Sequence, residues 1–122
     1  MKYALLFNES QADFDLRVDP VKSKAHGEAW RSYGIALKQS GVVVTGAGLQ
    51  PPPTATTIRV RDGKRQVQDG PYAETKEMLG GFWIIDVPDI DTALEWAARS
   101  PAAGYGSVEV RPVLVTSFED PV

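Results

Sequence analysis

His26 is the only histidine in the chain, so it is the one side chain whose ordinary pKa sits near neutrality. His26, Trp30, Tyr33 and Leu37 are spaced four, three and four residues apart, which on a helix places them in one stripe. An imidazole on that stripe could serve as a general base or touch a ligand. The plainer reading is a boundary histidine holding a structural hydrogen bond. One histidine and no cysteine argue against a zinc site, and no metal is expected.

A second concentration of chemistry runs from Gln68 to Phe82, "QDGPYAETKEMLGGF". Asp69 and Glu74 could accept protons or orient a polar ligand, and Lys76 could hold an anionic group. Tyr72 adds a ring and a hydroxyl that needs a partner. Gly70 permits backbone angles denied to other residues, and Pro71 fixes the next one. Gly80 and Gly81, at the start of a strand, imply a bulge or the close approach of another backbone. The expected set is therefore His26, Asp69 and Glu74 for acid-base work, with Lys76, Tyr72, Gly80 and Gly81 around a ligand. The alternative is a connector whose carboxylates cap and pair locally. "GVVVTGAG" lacks the spacing and the following helix of a dinucleotide loop, so no cofactor is expected.

The elements that must hold these residues belong to one domain, residues 1–122. A formal charge of -3, from 13 basic and 16 acidic residues with no run of one sign, argues against nucleic acid or an anionic membrane as partner. No apolar run approaches the ~20 residues of a membrane span, and "MKYALLFNES" is too short in its apolar part for a signal peptide. The absence of cysteine suits a reducing compartment, and a cytoplasmic protein is expected.

"KYALLFNE" reads as a first strand, followed by a polar loop. Asp19-Pro20 starts a helix running to about Ser40, which Gly41 closes. Val42 to Gly48 is a second strand, after which Pro51, Pro52 and Pro53 impose an extended, unpaired segment. "TTIRVRDGKRQVQD" is a hairpin turning on Asp62-Gly63, with Ile58 opposite Val67 and Arg59 opposite Gln66. Ile58, Val60 and Val67 then share an apolar face. Arg59 and Arg61, with Lys64 and Arg65 at the turn, form a solvated face or one for an acidic partner. Phe82 to Pro88 is a strand, "DIDTALEWAARS" a second helix capped by Asp89, and Ser107 to Val115 the last strand. Asp86 and Arg111, charged residues on apolar strands, suggest a cross-strand or intersubunit pair.

The order is an α+β, ferredoxin-like βαβ(ββ)βαβ pattern with an inserted hairpin. It puts the first strand and the Phe82–Pro88 strand in the centre, and both are apolar on both faces. Two helices, ~30 Å and ~16 Å long, cover one face only. An open apolar face of ~300–600 Å² is unusual for a monomer, so a homodimer packed sheet to sheet is expected. The hairpin or the tail folded over that face is the alternative.

These residues also carry a resemblance. "DGPYAETKEMLGGFWIIDVPDIDTALEWAARSPAAGYGSVEVRPV", with "LQPPPTATTIRVRDG" and "MKYALLF", resembles the YCII-related family over nearly the whole chain. More narrowly it looks like the branch named for its Asp-Gly-Pro-Phe motif, the DGPF-domain proteins, with Tyr72 where Phe is usual. The resemblance implies a dimeric α+β barrel and a poorly defined biochemical role. It also implies a His-Asp pair in a cleft, for which His26 is the one histidine available. DGPF-type proteins are associated with extracytoplasmic-function sigma factors, which implies a protein-binding regulatory module as the alternative function. The chain shows none of the basic helices of a fused sigma segment. Dimeric α+β barrels also host cofactor-free monooxygenases and isomerases, an analogy of fold alone. The leading expectation is a domain binding a small polar or acidic molecule beside Asp69 to Gly81, with acid-base chemistry open.

Overall fold

A computed structural model of the chain describes residues 1–71 and 75–115. In chain order the elements are β1 (Lys2–Glu9), α1 (Gln11–Asp15), α2 (Ser23–Ser40), β2 (Val43–Gly48), β3 (Thr56–Arg61), β4 (Lys64–Asp69), β5 (Met78–Asp86), α3 (Ile90–Ala98), α4 (Pro101–Tyr105) and β6 (Ser107–Pro112), with a 3-10 turn at Pro52–Thr54. Strands β2, β5, β1 and β6 form one antiparallel sheet in that order, and β3 pairs with β4 in a separate two-stranded ribbon. The mixed α+β class is thus visible directly, with the two most apolar strands in the centre.

Alternation along β1 decides which face is core. Tyr3, Leu5, Phe7 and Glu9 are buried, and the residues between them are half-buried. Register puts Tyr3 beside Ile85 and Leu5 beside Trp83 on β5, and Leu5 and Phe7 beside Val110 and Val108 on β6. Over this face lie Tyr33 and Leu37 of α2, Ala93 and Ala97 of α3, and Ala102 of α4. Complete burial of side chains such as Leu5, Leu37 and Ile85 contributes roughly 1.5–3 kcal/mol each. The Tyr33 hydroxyl donates to the Trp96 carbonyl at 2.8 Å, so a polar tip inside this core is matched. Ala4, Leu6, Phe82 and Ile84 point the other way, stay half-buried, and take no part in the core cluster.

Several local features differ from the sequence reading. Asp19 does organise the start of α2, accepting from Val21 N at 2.8 Å and Lys22 N at 2.7 Å, but it holds a turn and the regular helix begins at Ser23. The loop after β1 contains α1, closed by a reciprocal cap between Ser10 and Asp13. The three prolines end in a 3-10 turn instead of a fully extended run, since their fixed φ suits that turn equally. Pro101, after the Ser100 cap, opens α4, a further short helix between α3 and β6. β6 ends at Pro112, short of Val115. Asp86 pairs with the Met1 amine and Arg111 with Glu109; they do not pair with each other in this chain, because β1 lies between their strands. Gly41 takes φ 80° as the α2 cap, and Asp62 and Gly63 take positive φ in the hairpin turn, with Ile58 opposite Val67.

The hairpin does not fold back on its own sheet. Ile58, Val60 and Val67 are 51%, 57% and 60% exposed, so its apolar face is bare. The tail from Thr116 onward lies outside the described residues.

Two carboxylates, the Asp19 turn and the Asp89 cap of α3, give the fold an acid dependence. Asp89 has its pKa lowered by the Thr92 hydroxyl and then the Thr92 amide; Asp19 is lowered by the amides of Lys22 and Val21. A carboxylate whose folded pKa lies below its unfolded value, here 3.8, stabilises above that value and loses the contribution as pH falls through the folded pKa. The double variant Asp19→Asn, Asp89→Asn should therefore melt below wild type at pH 6, with the gap closing toward pH 2. A gap that acid leaves unchanged would contradict the assignment.

Candidate functional site

The sheet is opened at one end by glycines. Gly46 and Gly48 on β2 face Trp83 and Gly81 on β5, and Gly80 is the extra residue of a bulge opposite the Phe7–Asn8 step of β1. A Cβ on Gly81 would lie 3.0 Å from the Ala47 carbonyl, and one on Gly46 would lie 2.4 Å from the Trp83 ring. The sequence reading of the glycine pair as a bulge with a close backbone approach thus describes the geometry, although the pair sits inside β5 and not at its start.

The side chains missing from this end leave a cleft of about 530 Å³ between the sheet and the first half of α2. Its apolar wall includes Phe7, Trp30 and Trp83; its polar groups are His26, Arg31, Arg17 and Glu9. Phe7 and Trp30 meet edge to face, with centroids 5.0 Å apart, which holds the Trp30 ring upright. The His26 ring is half-buried and lies 5.8 Å, centroid to centroid, from Tyr105.

Behind His26 runs a chain of hydrogen bonds. Trp30 Nε1–H donates to Tyr105 Oη at 3.0 Å, and the Tyr105 hydroxyl donates to Glu9 Oε1 at 2.7 Å. Arg17 Nη2 lies 3.4 Å from Glu9 Oε2 and donates to the Gly80 carbonyl at 3.1 Å, while its Nη1 donates to the Leu49 carbonyl. Arg17 also stacks on Phe14 at 5.0 Å. Burial, and then the bond to Glu9, push the Tyr105 hydroxyl well above its usual pKa, so it stays a donor. No buried side-chain nitrogen or oxygen among the described residues lacks a partner.

Of the residues expected from sequence, His26, Gly80 and Gly81 come together here. Asp69 does not: it ends the hairpin, exposed, paired with Thr56. Lys76 lines a second recess of about 320 Å³, with Phe14, Pro52, Pro53 and Pro71, which shares Glu9 with the cleft. Tyr72 and Glu74 lie outside the described residues. Gly70 does adopt the left-handed φ of 89°, and its amide donates to the Ala55 carbonyl at 2.7 Å. No cluster of three metal-ligating side chains occurs among the described residues.

Glu9, Arg17 and Tyr105 were not singled out from sequence. Glu9 had a visible signal: it continues the inward parity of Tyr3, Leu5 and Phe7, so an alternating strand places a carboxylate inside. Arg17 and Tyr105 carry no such signal, because one follows and the other ends a short helix that local pattern does not reveal.

A family model described as the YCII-related domain matches residues 1–117. An uncharacterized protein of Rhizobium meliloti (strain 1021) is 46% identical over 69 residues, 55% of this chain and 56% of that protein, so the chain spans little more than half the length of this curated relative. Among solved structures, 5-chloro-2-hydroxyhydroquinone dehydrochlorinase from Burkholderia phenoliruptrix AC1100, in complex with 2,5-dihydroxybenzoquinone, superposes with a TM-score of 0.57. That match covers 97% of this chain and 98% of the other at 14% identity, a likeness of fold.

The hydrogen-bond chain sets an expected outcome. Tyr105→Phe removes one hydroxyl and leaves both the Trp30 N–H and Glu9 Oε1 short of a partner. Urea unfolding should show a loss of about 1–3 kcal/mol. A loss within the ±0.5 kcal/mol typical of a surface change would show that the chain is not closed as described.

Proposed function

The chain belongs to the YCII-related domain family, and from that membership and the shape of its cleft we propose that it binds a small, polar ring compound, with His26 as the group that gives or takes a proton. The observation that carries the reading is the placement of the one histidine beside Arg17 and Arg31 over walls of Phe7, Trp30 and Trp83. About 530 Å³ suits a one-ring ligand, given that small-molecule pockets run from ~300 to ~1,000 Å³. The aromatic walls match a flat ring, and two guanidinium groups favour oxygens that carry negative charge. The bound 2,5-dihydroxybenzoquinone of the structural neighbour is a molecule of this kind and supports the choice. The Asp69-Gly70-Pro71-Tyr72 run supports placement in the DGPF branch, and the ligand then lies beside the Gly80-Gly81 end of that segment.

Calorimetric titration with 2,5-dihydroxybenzoquinone is the direct test. Saturable binding is expected, weakened at least about tenfold by Arg31→Ala, the loss of one charge-assisted contact. His26→Ala should also weaken binding, through the loss of a polar contact with the ring. No measurable heat with wild-type protein, or binding indifferent to both variants, would sink the reading.

In this reading the open sheet face is covered by a second copy, giving the dimeric barrel of two ferredoxin-like units. What supports it is the row of Ala4, Leu6, Phe82 and Ile84, which no helix among the described residues covers. At roughly 25 cal/mol per Å², hiding such a face contributes many kcal/mol against the cost of association. Light scattering at micromolar concentration should return twice the chain mass, and Leu6→Asp should return the mass of one folded chain. A wild-type protein that scatters as a single chain would remove the barrel from the proposal.

A further inference from the structure

Glu9 is 3% exposed, yet it lines the cleft. Burying a carboxylate costs several kcal/mol even when paired, and a well-packed apolar residue at such a position is often neutral or stabilising. The inward face of β1 uses apolar residues at its three preceding positions, Tyr3, Leu5 and Phe7. The neighbourhood is cut to fit the carboxylate instead. A Cβ on Gly80 would lie 2.4 Å from Glu9 Oε2, so only glycine leaves that oxygen its place. The Tyr105 hydroxyl is aimed at Oε1 because Trp30 already donates to the same tyrosine oxygen.

An ionised carboxylate offers about four acceptor positions. Tyr105 takes one on Oε1, and Arg17 takes one on Oε2 at a long 3.4 Å. Acceptor capacity therefore remains on a carboxylate that lines the cleft and also the smaller recess. Arg17 has five N–H donors and, among the described residues, accepting partners only in Leu49, Gly80 and Glu9. The floor of the cleft thus presents an acceptor and a donor side by side.

We propose that Glu9 is a ligand-binding carboxylate of this cleft: it accepts a hydrogen bond from a hydroxyl of the bound ring while Arg17 donates to the adjacent ring oxygen. This rests on the ring-binding reading above and narrows it to ring compounds with two neighbouring oxygens, at least one still carrying its proton. A ligand presenting only a carboxylate meets Glu9 as a like charge. A ligand whose two hydroxyls are both capped by methyl groups leaves Glu9 without the proton it was placed to receive.

The probes are catechol, 1,2-dimethoxybenzene and benzoate, titrated into the full chain. Wild type should bind catechol at least about tenfold more tightly than either of the others, the effect of losing one hydrogen bond to a charged group. Glu9→Gln should erase that preference and strengthen benzoate binding, because its amide now donates where the carboxylate accepted. Gly80→Ala is the second variant: it keeps the Glu9 charge but pushes the carboxylate from its place, and it should erase the catechol preference as well. A role confined to stability would lower the melting temperature of these variants without reordering the three probes. If wild type binds catechol and neither folded variant changes the ranking, this inference fails and the ring-binding reading stands. If none of the three probes nor 2,5-dihydroxybenzoquinone binds wild type, both fail.

Discussion

Glu9 lies almost wholly out of water, and an ion placed that deep must be met by donors before the chain can close around it. The requirement reaches across the sequence. It draws Tyr105 from the far end of the chain and Arg17 from the turn after α1, and it demands a residue without a side chain at position 80. Each answer has a consequence for the cleft. Arg17, once drawn in, also ties the carbonyls of Leu49 and Gly80, which fixes the glycine end of the sheet. Tyr105, once aimed at Glu9, receives the Trp30 indole, which stands that ring against Phe7. The polar floor and the aromatic wall are two results of one solvation problem.

The same glycines that admit the carboxylate also make the space. Trp83 is seated against Gly46 of β2, and Gly34 of α2 lies on its other side, so the indole fills what side chains on those residues would occupy. Lys38 covers its ring at 5.8 Å. Toward the other end, Ile85 and Leu37 pack fully and Tyr33 closes the core over α3. The sheet is solid where its inward residues are large and hollow where they are glycine, so the position of the cleft follows from side-chain volume along β2 and β5.

Much of this architecture can be read from the chain itself. Two-sided apolar strands fall in the centre of the sheet, the Asp62-Gly63 turn sets the hairpin register residue for residue, and Gly41 caps α2, because each depends on neighbours in sequence. The stripe of His26, Trp30, Tyr33 and Leu37 also faces inward as its spacing requires. The site is only partly legible. His26, Gly80 and Gly81 meet, but the charged run nearest the glycines diverts attention from Glu9, some seventy residues earlier on another strand. Sequence proximity put Asp69 and Lys76 beside Gly80; the ribbon and the turn carry them away from His26. The residues that complete the floor are joined by strand pairing and by two short helices, and no window along the chain holds them together.

The ribbon of β3 and β4 stands apart from all this. Among the described residues its strands bond to each other and to no other strand, with the bonds among Ala55, Thr57 and Gly70 closing its base. Two strands alone are marginal in water, so the ribbon opens at a lower free energy than the sheet, and none of its residues lines the cleft. That makes it the segment of the chain most open to evolutionary remodelling: lengthening, shortening or recoding the tip at Asp62-Gly63 alters what the domain shows to its surroundings while the walls around His26 keep their shape.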